Sequence, residues 1–320
     1  MNNQNLTTIV IGGLNTDIVA LGVKKIIQAG EHIYGKRLKI GPGGKSRNIA
    51  QMIATLRGKN TVAMIGRTSK DPYGLWKFPI EALKKAGVNT QYIKILKSKE
   101  FPGIALIAVD RQGRNQIYVL PGITNSFSPI DIDDSNEIFT TVAKNKGNLV
   151  FSLELPLETA IYAVKKANSL GIRVLFDPGG IDKDQNYSNL LKQKIFLIKP
   201  NEHEAKILTG VTVDSFQSAK KAAAILLKQG IEHVFITTGK TGGYLFNKTL
   251  QKHIPVPDVK GSLVKDETGC GDQTIATIAA QLCEGKDIEE AATIGILSGT
   301  LEFHKNGIVS ITKKELRSQI

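Results

Sequence analysis

The sequence predicts a doubly wound α/β fold: a mostly parallel sheet with helices on both faces, plus a small β-sheet lid. Three observations predict it. Strand-like β-branched runs alternate with helical runs along most of the chain, the pattern of parallel strands joined by helical crossovers. Two segments, residues 13–40 and 98–122, break that alternation and are β-rich. No repeat of about 20–50 residues and no low-complexity linker divides the 320 residues. Residues 1–320 therefore read as one α/β domain, with a lid built from the two β-rich segments.

The elements follow in order. TTIVIGG is a β-branched strand, residues 43–57 carry a helical pattern, and TVAMIG is a strand again. Between the first strand and that helix, residues 13–40 hold short strand-like pieces without a long helix. GIALIAVD, the turn RQGRN and QIYVL read as a hairpin. GNLVFSLEL is a strand, Pro156 to Leu170 an amphipathic helix, and GIRVLFD a strand. KIFLIK is the next strand, followed by helices from Asn201 and from Asp214 to Gln229, then the strand EHVFITT. QTIATIAAQLCEG reads as a late helix. The two β-rich insertions can pair over one edge of the main domain, and a lid so placed excludes water from a site.

Composition narrows the function. A hydrophobic fraction of 41% and a charged fraction of 22% are those of an ordinary globular protein. No apolar run approaches the ~18 residues of a membrane span. The N-terminal MNNQNLTT has neither a basic nor an apolar leader region, so a cytoplasmic location is expected. Net charge is +13, but the basic residues come in scattered pairs such as Lys84-Lys85 and Lys220-Lys221. Without a basic block or interleaved aromatics, a nucleic-acid partner is not expected; a positive field favours anionic substrates. Of the two cysteines, Cys270 sits among glycines at a helix start, and Cys283 follows 13 residues later. On one helix they lie roughly 20 Å apart, too far for a disulfide. A thiol at a helix start can be activated, but Cys270 reads better as a small residue in a tight turn. The five histidines show no metal-ligand spacing, and there is no G-x-S-x-G elbow.

Two tripeptides imitate a phosphate loop. Gly44-Lys45-Ser46 and Gly239-Lys240-Thr241 both lack the glycine five residues upstream, where Lys39 and Val234 stand. The D-E-T-G-C-G-D stretch, Asp266 to Asp272, is more informative. A helix start leaves amides without partners, and the small Gly269, Cys270 and Gly271 let an anion approach them. Asp272 beside such a site would repel a bound anion, so a proton-accepting role suits it better than a structural one. A plain loop with a capping aspartate fits the same residues.

The stretch resembles D-T-x-G-A-G-D, a signature of the ribokinase (PfkB) family of carbohydrate kinases. Three more motifs follow that family's order: G-G-x-x-x-N at Gly43 to Asn48, N-x-x-E at Asn201 to Glu204, and a T-x-G turn at Thr237 to Gly239. The resemblance covers essentially the whole chain. It implies ATP-dependent phosphorylation of a sugar hydroxyl, with Asp272 as catalytic base and the amides of Gly269, Cys270 and Gly271 holding the transferred phosphoryl group. It implies that Asn201, Thr237 and Gly239 contact the nucleotide and that Glu204 serves Mg²⁺ through water. Asp266 and Ser310 resemble members of the family's monovalent-cation site, which takes K⁺. Glu267, in place of a small polar residue, and Gln273-Thr274 after the base depart from the family pattern. These departures bear on nucleotide packing and cation dependence.

For the acceptor, Asn15 and Asp17 form a short polar pair that can chelate vicinal hydroxyls. Together with Gly43, Gly44, Lys45, Asn48 and Glu154 they resemble the sugar site of ribokinases. Glu154, in L-E-L-P-L-E-T, would repel a phosphorylated sugar. Arg47-Asn48-Ile49-Ala50 is instead similar to pseudouridine and other nucleoside kinases, and the hairpin exit at Pro121 to Asn125 carries one inserted residue. The resemblance therefore favours ribose or a similar free monosaccharide over a nucleoside, and both over a phosphosugar. A non-catalytic sugar binder would need a lost base, and Asp272 is intact. A homodimer through the lid is expected, with an apolar outer lid face as its mark.

Overall fold

The computed structural model describes residues 5–259 and 265–319; the first four residues, read above for a leader, lie outside it. The chain begins β1 (Thr8–Ile11), β2 (Asn15–Val23), β3 (Arg37–Gly43), α1 (Lys45–Arg57), β4 (Val62–Ser69), α2 (Lys77–Ala86) and β5 (Ile93–Leu96). It continues β6 (Gly103–Asp110), β7 (Asn115–Leu120), α3 (Pro129–Asp133), α4 (Asn136–Lys144), β8 (Asn148–Ser152), α5 (Leu157–Ser169) and β9 (Arg173–Asp177). Then come α6 (Ser188–Leu191), β10 (Leu197–Ile198), α7 (Glu202–Thr209), α8 (Phe216–Lys228) and β11 (His233–Thr237). It closes with β12 (Gly243–Phe246), β13 (Gln251–Ile254), α9 (Cys270–Cys283), α10 (Ile288–Phe303) and α11 (Lys313–Arg317).

The main sheet has nine strands in the order β13-β12-β11-β10-β9-β8-β1-β4-β5. Every pairing from β11 to β5 is parallel, and β12 and β13 add an antiparallel edge. This is the doubly wound, mostly parallel sheet that the alternation predicts. Its strands are apolar on both faces because helices cover both. One core cluster packs β1, β8 and β9 against α4, α5 and α8 through Phe139, Phe151, Phe176 and Leu226. The opposite cluster packs α1, α2, α9 and α10 through Ile53, Ile80, Ile275 and Ile296. The KIFLIK strand is shorter than its sequence suggests, only Leu197–Ile198, because the chain turns at Pro200 into α7.

The two β-rich segments form a second sheet, β3-β2-β6-β7. Its register is Asp17↔Gly41, Asp17↔Ala105 and Ala105↔Val119. Side chains alternate across a sheet, so Asn15 and Asp17 share one face. Ile18, Ile40, Leu38, Leu106 and Tyr118 share the other.

Candidate active site

Parallel open sheets bind ligands outside the carboxyl ends of their strands, where the strand order reverses. Here it reverses around β1, with β4 on one side and β8 on the other. Polar and charged residues collect at those carboxyl ends: Glu154 after β8, Asp177 at the end of β9, Lys199 after β10 and Thr237 at the end of β11.

The start of α9 is held open by Gly269. Its φ of 86° is left-handed, and an added Cβ would lie 3.2 Å from Glu302 Oε1. In the first turn behind it, the Cys270 amide has only a long contact, 3.4 Å, with Glu267 O. The buried Asp272 carboxylate accepts from Asn48 Nδ2 at 2.8 Å and lies 3.5 Å from Lys45 Nζ. Asp272 above all, with Asp177, Glu154 and Glu204, raises the Lys45 ammonium above its ordinary pKa against the cost of burial. Asn48 Oδ1 is buried without a hydrogen-bond partner among the described residues.

Gly44 caps α1 with φ 93°, and a Cβ there would meet Gly13 O at 2.9 Å. The cap is completed from outside: Glu154 Oε2 accepts the Lys45 amide at 2.7 Å. Burial pushes Glu154 up to about 7; Lys45 opposes the shift and Asp272 adds to it. Arg47 is fully buried and donates to Gly43 O, Pro42 O and Gln51 Oε1. Burial brings its pKa down to about 10. Asp17 lies over Gly43, where a Cβ would be 1.8 Å from its Oδ1. Asn15 lies over Gly103, where a Cβ would be 2.2 Å from its Oδ1. Burial raises the Asp17 carboxyl, opposed by Arg47 and Lys39.

Asn201 and Glu204 form a reciprocal capping box on α7: Asn201 Oδ1 accepts the Glu204 amide and Glu204 Oε2 accepts the Asn201 amide. Thr237 pairs with Asn201 across an isolated bridge, and its amide donates to Pro200 O at 2.9 Å. Gly239, with φ 48°, opens the tight turn that follows. Asp266 accepts the amides of Thr268 and Gly307, and Ser310 Oγ accepts from Gln51 Nε2.

Three residues of this region were not singled out from the sequence. Lys199 pairs with Asp177 at 2.9 Å, both almost fully buried. Glu302 is fully buried on α10, its Oε1 accepting the Val309 amide at 2.8 Å and its Oε2 without a partner among the described residues. Asp177 and Lys199 each end a buried strand at its carboxyl end, a position that could have marked them. Glu302 stands near the end of α10, apart from Glu289 and Glu290 in its first turn, with no such signal.

One departure from the motif pattern, Gln273, now has a physical account. Gln273 is buried and ties α9 to Ser298 of α10 and to the Ile311 amide. Burial, with Glu302, Asp266 and Glu267 nearby, pushes the Cys270 thiol up to about 12, so it is not an activated nucleophile. Cys270 and Cys283 are the first and last residues of α9, and both are free.

A family model described as pfkB family carbohydrate kinase matches residues 6–313. The chain belongs to the pfkB family of carbohydrate kinases. Among relatives, this kinase is 32% identical over 306 residues to the ribokinase of Haemophilus influenzae, covering 95% of this chain and 94% of the relative. It is 30% identical over 301 residues to the deoxyribokinase of Salmonella typhi, covering 94% of each. Among solved structures it matches Arabidopsis thaliana ribokinase complexed with ribose and ATP, with a TM-score of 0.85, 27% identity and 98% of each chain covered.

Glu302 gives this kinase a pH signature. Burial raises it to about 7, with Asp266 and Asp272 adding to the shift and Val309 and Lys305 opposing it. A carboxyl held above its unfolded value of 4.5 contributes stability fully below that value and loses it as pH rises through about 7. Glu302→Gln mimics the protonated form. Its Tm should equal that of the wild type near pH 4.5 and exceed it increasingly up to pH 8. A constant Tm difference across that range would remove Glu302 as the titrating group.

Proposed function

We propose that this carbohydrate kinase transfers the γ-phosphoryl group of ATP to a hydroxyl of ribose or a similar free monosaccharide. The observation that carries the reading is Asp272: a buried carboxylate, oriented by Asn48 and Lys45, at the mouth of the α9 amides. There it accepts the proton of the attacking hydroxyl while Gly269, Cys270 and Gly271 hold the phosphoryl oxygens. Asn15 and Asp17 bind vicinal hydroxyls from the small sheet, which serves as the lid. Gly43, Gly44, Lys45 and Asn48 line the sugar, and the unpartnered Asn48 Oδ1 is an acceptor for one of its hydroxyls. Glu154 fixes the start of α1 by accepting the Lys45 amide beside the acceptor site.

Arg47 argues against the nucleoside reading. Its guanidinium is committed to two carbonyls and Gln51, so it holds the β3–α1 turn instead of reading a base. Among the described residues no cluster of three or more His, Cys, Asp or Glu could hold a metal. That suits Mg²⁺ held mainly by nucleotide phosphates, with Glu204 contacting it through water. When bound, the ion neutralises the charge of the transferred phosphate. Asn201, Thr237 and Gly239 line the nucleotide. For K⁺ beside Asp266 and Ser310, the fit rests on Glu302 Oε2, a buried acceptor that a cation would satisfy.

A coupled ADP-release assay with ribose, deoxyribose, nucleosides and fructose 6-phosphate tests the acceptor. Ribose should exceed the nucleosides and the phosphosugar in kcat/KM by about 10²-fold or more, because a site built to hydrogen-bond hydroxyls discriminates strongly. A nucleoside as best substrate would overturn the choice. We also place a second copy of the chain on the outer lid face. Leu38, Ile40, Leu106 and Tyr118 share that face and are exposed, Leu38 by 68% and Tyr118 by 57%. Light scattering should give a dimer mass, and Leu106→Asp should give a monomer; a monomeric wild type would refute it.

A further inference from the structure

Two lysines flank the α9 amides, Lys199 buried and Lys45 half-buried, and one buried carboxylate joins them. Lys199 is 3% exposed, with Nζ 2.9 Å from Asp177 Oδ2. On its other side Nζ lies 3.5 Å from where a Cβ on Gly271 would sit, against the first turn of α9. Asp177 accepts the Gly179 amide with Oδ1 at 2.8 Å, and this tightens the turn under Lys45. The Lys45 stem crosses Gly179 so closely that a Cβ there would meet its Cδ and Cε at 2.5 Å. Lys45 Nζ then reaches Asp272. Asp272, Lys45, Asp177, Lys199 and Gly271 thus close a circuit around the helix start.

Burial of an ion pair is weak evidence for stability, since the desolvation of both ions offsets their attraction. A buried ammonium aimed at an anion-binding helix start has another use: fixed positive charge where a transferred group carries negative charge. Although burial opposes it, Lys199 and Lys45 together hold the Asp177 carboxyl below its ordinary range, so the carboxylate is charged between them.

We propose that Lys199 is a catalytic residue that holds the transferred phosphoryl group against the α9 amides, and that Asp177 is the positioning residue for Lys199 and Lys45. The proposal rests on the reading of the chain as an ATP-using kinase and not on which sugar accepts. In the transfer the acceptor oxygen bonds to the γ-phosphorus as the bond to the β–γ bridging oxygen breaks. Asp272 takes the hydroxyl proton, and ADP leaves with the electron pair. Lys199 meets charge on the phosphoryl oxygens throughout this in-line displacement.

The competing account is a salt bridge that only ties β9 to the turn after β10. The double variant Asp177→Asn/Lys199→Met separates the two, because the amide oxygen can still accept the Gly179 N–H and no buried ion is left unpaired. We expect it to fold, with Tm close to the wild type and ADP affinity within about threefold. Its kcat should fall by about 10²-fold or more, the scale for losing one preorganised charge or donor. A folded double variant with near-normal turnover would overturn the proposal. A second measurement uses the unaltered protein. ADP carrying a pyridoxal group on its terminal phosphate forms an imine with the amine nearest the γ-phosphate position, and borohydride traps it. Peptide mass mapping should find the label on Lys199; a label confined to Lys45 or to surface lysines would overturn the proposal. A wild type that turns over no sugar in the acceptor panel would sink the ribose reading, while the label still reports on Lys199.

Discussion

Asp272→Asn is expected to lower kcat by about 10²–10⁴ while nucleotide and sugar still bind. Phosphoryl transfer asks the protein mainly for alignment, charge neutralisation and a proton acceptor, and loss of a general base costs on that scale. The substitution is nearly isosteric. One amide oxygen can still accept from Asn48 Nδ2, so the α1–α9 contact survives. What is lost is the proposed proton acceptor and the negative charge beside Lys45. Nucleotide affinity should hold or tighten, since a carboxylate next to the γ-phosphate is gone. Calorimetric titration and the coupled assay on the purified variant check both halves. Near-normal turnover would remove Asp272 as the base.

Much of this site is legible in the sequence because it is local. A glycine turn at a helix start announces amides, and an aspartate beside it announces chemistry. The capping box at Asn201 and Glu204 is likewise a four-residue pattern. The alternation of strands and helices is also local, so the mostly parallel, doubly covered sheet follows from it. What the sequence does not display is partnership across the fold. Asp177 and Lys199 are 22 positions apart and meet only because β9 and β10 are neighbours. Glu302 reaches Gly269 from a helix 33 positions away, and nothing in ILSGTLEF distinguishes it from a surface carboxylate. Arg47 shows the converse. Its motif resembles a nucleoside-binding one, yet burial commits its donors to the β3–α1 turn. The small sheet sits between these cases. Departure from alternation marks its segments, but only the register shows that Asn15, Asp17, Gly43 and Gly103 share a face.

That shared face leads to the second large effect. Asp17→Ala is expected to raise the sugar KM by roughly 30- to 1,000-fold, a cost of about 2–4 kcal/mol for losing charge-assisted hydrogen bonds in a shielded site. The carboxylate is held for that role from below. Gly43 leaves the space it occupies, and a Cβ there would stand 1.8 Å from Oδ1. Arg47, whose Nε donates to Gly43 O, fixes the backbone of the same turn. Gly43→Ala should therefore reproduce much of the Asp17→Ala defect by displacing the carboxylate. The double variant should be little worse than the more damaging single one, because both act through one contact. Steady-state kinetics on the three variants, with nucleotide KM as the control, provide the check. An unchanged sugar KM in Asp17→Ala would mean that the acceptor binds elsewhere. Additive effects in the double variant would mean that Gly43 serves the site by another route, such as the start of α1, where Gly44 and Glu154 already set the geometry.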